Sequence, residues 1–231
     1  MSARVLIIIP AYNEEESIVN AVEDIRSHTT YDYVIINDGS ADRTEEVVRQ
    51  HGFNLISLPV NYGLAGAVQT GFLYALEHDY DVAVQFDGDG QHKAEYIPAL
   101  IEQIENGYDV VIGSRFVNEK KDFSARMIGS RLLSFIIRLT TGKNINDPTS
   151  GFRAYSKTVI PEFAAEMNYP PEPDSISYLL RRGYQINEVQ VQMQERKFGK
   201  SYLNVWSSAR YMSRMVISIL LIQQFRKKER S

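Results

Sequence analysis

Apolar runs and helix-spaced stretches take turns along the first half of this chain. RVLIII (Arg4–Ile9) reads as a buried strand, and Glu14–Arg26 sets Ile18, Ala21, Val22 and Ile25 on one helical face. YVIIN (Tyr33–Asn37) predicts a second strand, and Ala41–Gln50 a helix with Asp42 placed to cap it. NLISL (Asn54–Leu58), a helix over Leu64–Glu77, VAVQF (Val82–Phe86), a helix over Glu95–Glu105 and DVVIG (Asp109–Gly113) continue the series. Continuous β-branched strands between amphipathic helices predict an α/β fold. Its sheet is mostly parallel and covered on both faces, with successive right-handed crossovers.

After Gly113 the pattern changes. Phe123–Thr141 predicts an apolar helix studded with Arg126, Arg131 and Arg138, and GFRAY (Gly151–Tyr155) a short strand. YPPEPD (Tyr169–Asp174) predicts a proline-rich turn that cannot be mid-helix. NEVQVQMQE (Asn187–Glu195) alternates strictly, as a strand with one wet face does, and Leu203–Arg230 predicts a final helix. With no repeat, linker or low-complexity tract, the expected division is one domain over 1–202 and a basic amphipathic helical extension over 203–231.

Composition changes this picture in two ways. The 231 residues contain no cysteine, which excludes disulfides and thiolate metal sites and fits a reducing compartment. The formal net charge is only −4, but from Arg196 onward nine Lys/Arg stand against one acidic residue, Glu229. An acidic body with a basic end points to a polyanionic partner for that end: phosphate, membrane surface or nucleic acid. The opening MSARVLIIIPAYNEE has too short an apolar stretch for a signal peptide, and no run of about 18 apolar residues predicts a membrane span.

The chemistry collects where the strands end. In open parallel sheets ligands bind beyond the carboxyl ends of the strands. PAYNEEE follows the first strand, NDGS the second, VNYGLAGA the third, DGDGQH the fourth and GSR the fifth. Asp87 and Asp89 in DGDGQH suit a hard divalent ion, since Mg²⁺ and Mn²⁺ prefer oxygen ligands and Mg²⁺ commonly shares itself with phosphate oxygens. Alone, that stretch reads equally as a solvated Asp/Gly turn; five polar strand ends together favour a metal–phosphate site. An EF-hand is excluded, because counting from Asp87 puts Pro98 where its bidentate glutamate belongs. NYGLAG opens a helix whose free amides face an anion, or else supplies glycines for tight packing; it lacks the dinucleotide spacing. Asp38 is either a cap or an acceptor for a ribose or base.

Taken in order, PAYNEEESI, VIINDGSADRT, NYGLAGAVQTG, FDGDGQH, GSR, DPTSGFRAY and ERKFGKS resemble the family 2 glycosyltransferases of GT-A fold over nearly the whole chain. The last two motifs resemble the dolichyl-phosphate mannosyltransferase-like branch, which moves a sugar from a nucleotide to a polyprenyl phosphate. The resemblance implies that Pro10, Tyr12, Glu14, Ile36 and Asp38 hold the nucleobase and ribose. It implies that Asp87, Asp89 and Gln91 ligate Mg²⁺ or Mn²⁺ on the diphosphate beside Gly88, and that Arg115 and Arg196 contact phosphate. Asn37 stands where many members have a first aspartate, Lys93 where proline is frequent, and Tyr202 where many mannosyltransferases have lysine; Lys200 is the nearest substitute.

An inverting transfer follows from that resemblance. The acceptor phosphate is already ionised, so positioning matters more than a strong base. Asp147 is the candidate acid/base or orienting residue, Arg153 the candidate partner of Asp147 or of the acceptor phosphate, and His92 a support behind the metal. The expected acceptor is undecaprenyl phosphate or a related polyprenyl phosphate, in cell-envelope polysaccharide modification. The donor is expected to be UDP-glucose or UDP-N-acetylglucosamine rather than GDP-mannose. The two basic apolar helices then lie on the cytoplasmic face of the plasma membrane, dock a small membrane protein, or pack on the domain or a second subunit with their arginines merely solvated. Two rival readings remain: a soluble glycosyltransferase acting on a saccharide or protein, and a non-catalytic binder of anions or nucleic acid. The basic end has few aromatics for base stacking, which speaks against nucleic acid.

Overall fold

The fold is described from a computed structural model covering residues 3–119, 121, 125–165, 172–194 and 205–222. Five strands fall where the apolar runs predict them: β1 (Val5–Ala11), β2 (Asp32–Asn37), β3 (Leu55–Ser57), β4 (Val82–Gln85) and β5 (Val110–Ser114). Between them lie α1 (Ile18–His28), α2 (Thr44–Gln50), α3 (Gly63–Glu77) and α4 (Ile97–Glu105), the last led in by a short 3₁₀ turn at Ala94–Tyr96. The second helix begins at Thr44 rather than Ala41, and Asp42 still accepts its first amide, Thr44 N, at 2.9 Å.

The second half supplies α5 (Ala125–Thr141), β6 (Arg153–Ser156), α6 (Ile160–Ala165), α7 (Pro173–Arg181), β7 (Ile186–Gln190) and α8 (Val205–Ile217), which ends in a π-helical turn at Ser218–Ile222. Pro173 occupies the first turn of α7, where its missing N–H costs nothing. The alternating pattern expected over Asn187–Glu195 forms ladder only to Gln190, opposite Ser114, where β5 ends. The residues of the expected final helix at 203–204 and 223–230 lie outside the described residues.

The seven strands run in the order β3-β2-β1-β4-β6-β5-β7. All pairs are parallel except those of β6, which is antiparallel to both β4 and β5. Simple succession would have set β5 beside β4; instead the chain makes the long α5 excursion and returns to wedge β6 between them. Because β6 runs backwards, the loop before it, not after it, arrives at the carboxyl edge of its neighbours. That places residues 144–152 beside the ends of β4 and β5.

Side chains alternate across the sheet with the period of two that strands impose. Leu6 and Ile8 face α3, α5, α6, α7 and α8, whereas Val5, Ile7 and Ile9 face α1, α2 and α4. Helix α3 lies so close to β1 that a Cβ on Gly71 would sit 2.2 Å from Ile8 Cγ2, so only glycine fits. Helix α5 sends Leu133, Ile136 and Ile137 into the core, each side chain contributing about 1.5–3 kcal/mol by burial. Helix α8 shares that core through Met215 and Ile219, and is tied to the start of α7 by Arg214–Glu172 (3.0 Å) and Ser218–Asp174 (2.7 Å).

Candidate active site

The loops after β1 and β2 hold each other. Asn13, in the left-handed region at φ 57°, accepts the Ala41 amide (2.8 Å) and the Asp42 amide (3.3 Å) on its Oδ1. Glu14 N donates to Thr44 Oγ1 (2.8 Å), and its carboxylate accepts Ser17 Oγ at 2.6 Å. Tyr12 stays partly exposed at this edge, and Pro10 is buried with its carbonyl against Gly88. Asp38 is buried and its Oδ1 accepts Tyr62 N at 2.7 Å, tying the loop after β2 to the start of α3. Burial raises its pKa and outweighs the opposing amides of Tyr62 and Gly63. Ile36 departs from expectation: its side chain is wholly inside the α3-side core, so it offers a ligand no surface.

The acidic turn follows β4. Asp87 Oδ2 lies 3.1 Å from His92 Nε2, Oδ1 lies 3.4 Å from Gln85 Nε2, and its side chain keeps 31% of its exposure. Burial raises the Asp87 pKa, but the hydrogen bond and charge of His92, the Gln85 amide and nearby Arg153 together leave it lowered. Asp89 Oδ1 accepts Gln91 N (3.0 Å), and Gln91 O accepts Gln194 N (2.9 Å), fastening the turn to the segment after β7. Among the described residues no three His, Asp or Glu come together as a metal cage. Two carboxylates on this turn, beside Gln91, fit a hard oxygen-seeking divalent ion that would take its remaining oxygens from water or a ligand.

A second charged group stands beyond β5. Asp147 is 0% exposed and takes a forked bond from Arg115: Nε to Oδ2 at 2.7 Å and Nη2 to Oδ1 at 2.8 Å. Arg115 N (3.2 Å) and Thr149 Oγ1 (3.1 Å) complete its shell. Burial pushes the Asp147 pKa up, yet the Arg115 bonds and charge hold it below the ordinary carboxylate value. One strand further out, Glu188 accepts the consecutive amides of Asn146 (2.7 Å) and Asp147 (2.8 Å), fixing the loop. Half-buried Lys121 donates to Ser130 Oγ (2.8 Å) and Ser134 Oγ (3.3 Å) of α5, and Arg131 donates to the Lys121 carbonyl. Burial lowers the Lys121 pKa, while Asp147 and Glu188 pull it back.

Arg153 does not pair with Asp147. It is buried at the start of β6 and donates to the carbonyls of Ser150 (2.7 Å) and Pro148 (2.9 Å), because Arg115 already fills the Asp147 carboxylate. Arg196 and Lys200 lie outside the described residues. Sequence reasoning had no reason to single out Lys121, Gly151 or Glu188, which matter only through partners distant in the chain.

This sheet order with a carboxylate turn at its open edge is the GT-A glycosyltransferase fold. The likeness extends to glucosyl-3-phosphoglycerate synthase of Mycobacterium tuberculosis, at TM-score 0.69 and 23% identity over 96% of this chain and 80% of that one. The same enzyme solved with Mn²⁺, UDP-glucose and phosphoglyceric acid gives TM-score 0.67 at 20% identity over 96% and 80%. Residues 6–163 match the family described as Glycosyl transferase family 2, and the chain belongs to that family. Among its curated relatives is the undecaprenyl-phosphate mannosyltransferase of Micrococcus luteus, 32% identical over 87% of this chain and 88% of that protein. Another is the UDP-N-acetylglucosamine–dolichyl-phosphate N-acetylglucosaminyltransferase of Methanococcus voltae, 35% identical over 68% and 70%.

Proposed function

We propose that this glycosyltransferase moves a sugar from a nucleoside diphosphate to a polyprenyl phosphate at a membrane surface, with inversion. The observation that carries the lipid acceptor is helix α5. Ile128 (57% exposed), Leu132, Phe135 (61%) and Leu139 (69%) form an outward row three or four residues apart, and Arg131 and Arg138 share the helix. Apolar residues bare to water beside cations suit a helix lying among lipid headgroups. Among the described residues no helix is long and apolar enough to cross a membrane, so this surface would carry the attachment. The names of the relatives point the same way.

In this reading Asp87, Asp89 and Gln91 hold a divalent ion, Mg²⁺ or Mn²⁺, which when bound neutralises charge on the departing diphosphate. Tyr12, Glu14 and Asp38 border the nucleoside. Arg115, fixed by Asp147, offers an aligned cation, with Lys121 and Arg131 close by, to an anionic acceptor or leaving group. Asp147 therefore orients rather than exchanges protons, since its four bonds leave no oxygen exposed. A phosphate acceptor is ionised near neutral pH and asks for placement rather than deprotonation.

The test is partition of product. The chain is incubated with undecaprenyl phosphate, Mg²⁺ or Mn²⁺, and radiolabelled UDP-glucose, UDP-N-acetylglucosamine or GDP-mannose in turn, then extracted with organic solvent. Label moving into the organic phase, abolished by Asp89→Ala, is the expected result. Label transferred only to water-soluble saccharide or protein would reject the lipid acceptor.

A further inference from the structure

His92 is a costly residue to bury where it sits. Its ring lies 5.0 Å from Phe152, nearly stacked, and 5.7 Å from Phe86, edge-on, and its side chain is 3% exposed. Its Nδ1 finds no hydrogen-bond partner. A buried polar atom without a partner costs about 1–3 kcal/mol. A phenylalanine would fill this aromatic slot without that penalty, so packing alone does not account for histidine. What histidine adds is the bond from Nε2 to Asp87 Oδ2 at 3.1 Å. A carboxylate only accepts, so the hydrogen must be on Nε2.

Gly151, in the loop that the reversed β6 brings to this edge, borders the same carboxylate. A Cβ there would stand 3.0 Å from Asp87 Oδ2, 3.6 Å from Oδ1 and 3.3 Å from Gln85 Nε2. A side chain at 151 would press on the carboxylate that His92 holds. Phe152, the next residue, stacks on His92, so one dipeptide both clears and braces the same group.

We propose that His92 is a positioning residue for Asp87: its Nε2–H, braced by Phe152, sets the rotation of the carboxylate in the slot that Gly151 leaves open. The inference rests on the reading of Asp87 as a metal ligand. It does not depend on which sugar or acceptor is used.

The experiment measures Mn²⁺ binding to the full chain, by the paramagnetic resonance signal of the free ion, with UDP present and in parallel with GDP. His92→Phe keeps the ring and removes the donor, and should raise the Mn²⁺ dissociation constant about 10- to 100-fold. His92→Gln returns an N–H at the Nε2 position and should restore most of the binding that His92→Phe loses. Gly151→Ala leaves His92 intact and should weaken binding as well. His92→Phe that binds like the unsubstituted chain, while Asp87→Ala does not, would overturn the positioning role and leave the metal reading standing. His92→Gln as weak as His92→Phe would also overturn it. Asp87→Ala that binds normally, or an unsubstituted chain that binds no Mn²⁺ with either nucleotide, would remove the metal reading and this inference with it. Should circular dichroism show His92→Phe unfolded, His92→Gln and Gly151→Ala decide the matter alone.

Discussion

Two carboxylate groups stand at the same edge of one sheet, after β4 and beside the end of β5, and they are built in opposite ways. Asp147 is sealed and saturated, with a guanidinium locked across it. Asp87 is partly open, gripped on one oxygen by His92 and only loosely approached on the other by Gln85. A depressed pKa is common to both and does not tell them apart. Satisfaction does: a carboxylate whose acceptor sites are filled by protein donors braces its partner, and one with capacity left over can take a cation. The same residue type therefore serves as strut in one place and as candidate ligand in the other.

The largest expected effect comes from opening the sealed group. Asp147→Asn strands the Arg115 guanidinium and should cost about 3–5 kcal/mol of unfolding free energy, read from urea denaturation. A loss no greater than a surface substitution gives would break the comparison at once. Next is Asp89→Asn on the open turn. It should lower transfer on the order of 10²–10³-fold while unfolding free energy changes by less than about 0.5 kcal/mol. Matching losses of fold and activity in both variants would erase the distinction.

Glu188→Gln comes third. It can still accept one of the two backbone amides but loses the charge, and about 1–2 kcal/mol of stability should go with it. The pH profile sharpens the same point. Asp147 has a folded pKa below the ordinary value, so its contribution is complete above about pH 4 and is lost as pH falls through the folded value. As pH falls below about 4 the stability of the unsubstituted chain should fall more steeply than that of Asp147→Asn. Parallel profiles would place the depressed pKa elsewhere. Leu139→Ser on the outward row of α5 should likewise change stability by no more than about 0.5 kcal/mol in water. Its binding to anionic lipid vesicles, measured by sedimentation, should nevertheless weaken; unchanged sedimentation would leave that row without its proposed contact.

Much of this was legible in the chain itself. Short β-branched runs such as Val5–Ile9 and Val82–Val84, alternating with amphipathic helices, read as strands covered on both sides, and the polar residues after them then collect at one edge. The acidic turn at the end of β4 is legible as a turn; its reading as a metal site needs the other polar strand ends beside it, because alone it reads equally as a solvated Asp/Gly turn. What local pattern does not encode is partnership across the fold. Nothing in GFRAY says that Arg153–Ser156 runs antiparallel between β4 and β5, and that one reversal brings Asp147 and Gly151 to the edge. Asp147 was visible as a candidate, but its partner is 32 residues away at Arg115 rather than six away at Arg153. Ile36 departs from expectation for a related reason: the sheet is covered on both faces, so Ile35 and Ile36 enter opposite cores and neither reaches a ligand.

The seating of α8 bears on how the polypeptide can be trimmed. Met215 and Ile219 are shared with helices of the catalytic body, and Met212 lies where a side chain on Gly129 of α5 would intrude. Proteolysis ahead of Val205 will therefore strip a lid of greasy side chains from α5 and α7 and leave a sticky, short-lived fragment.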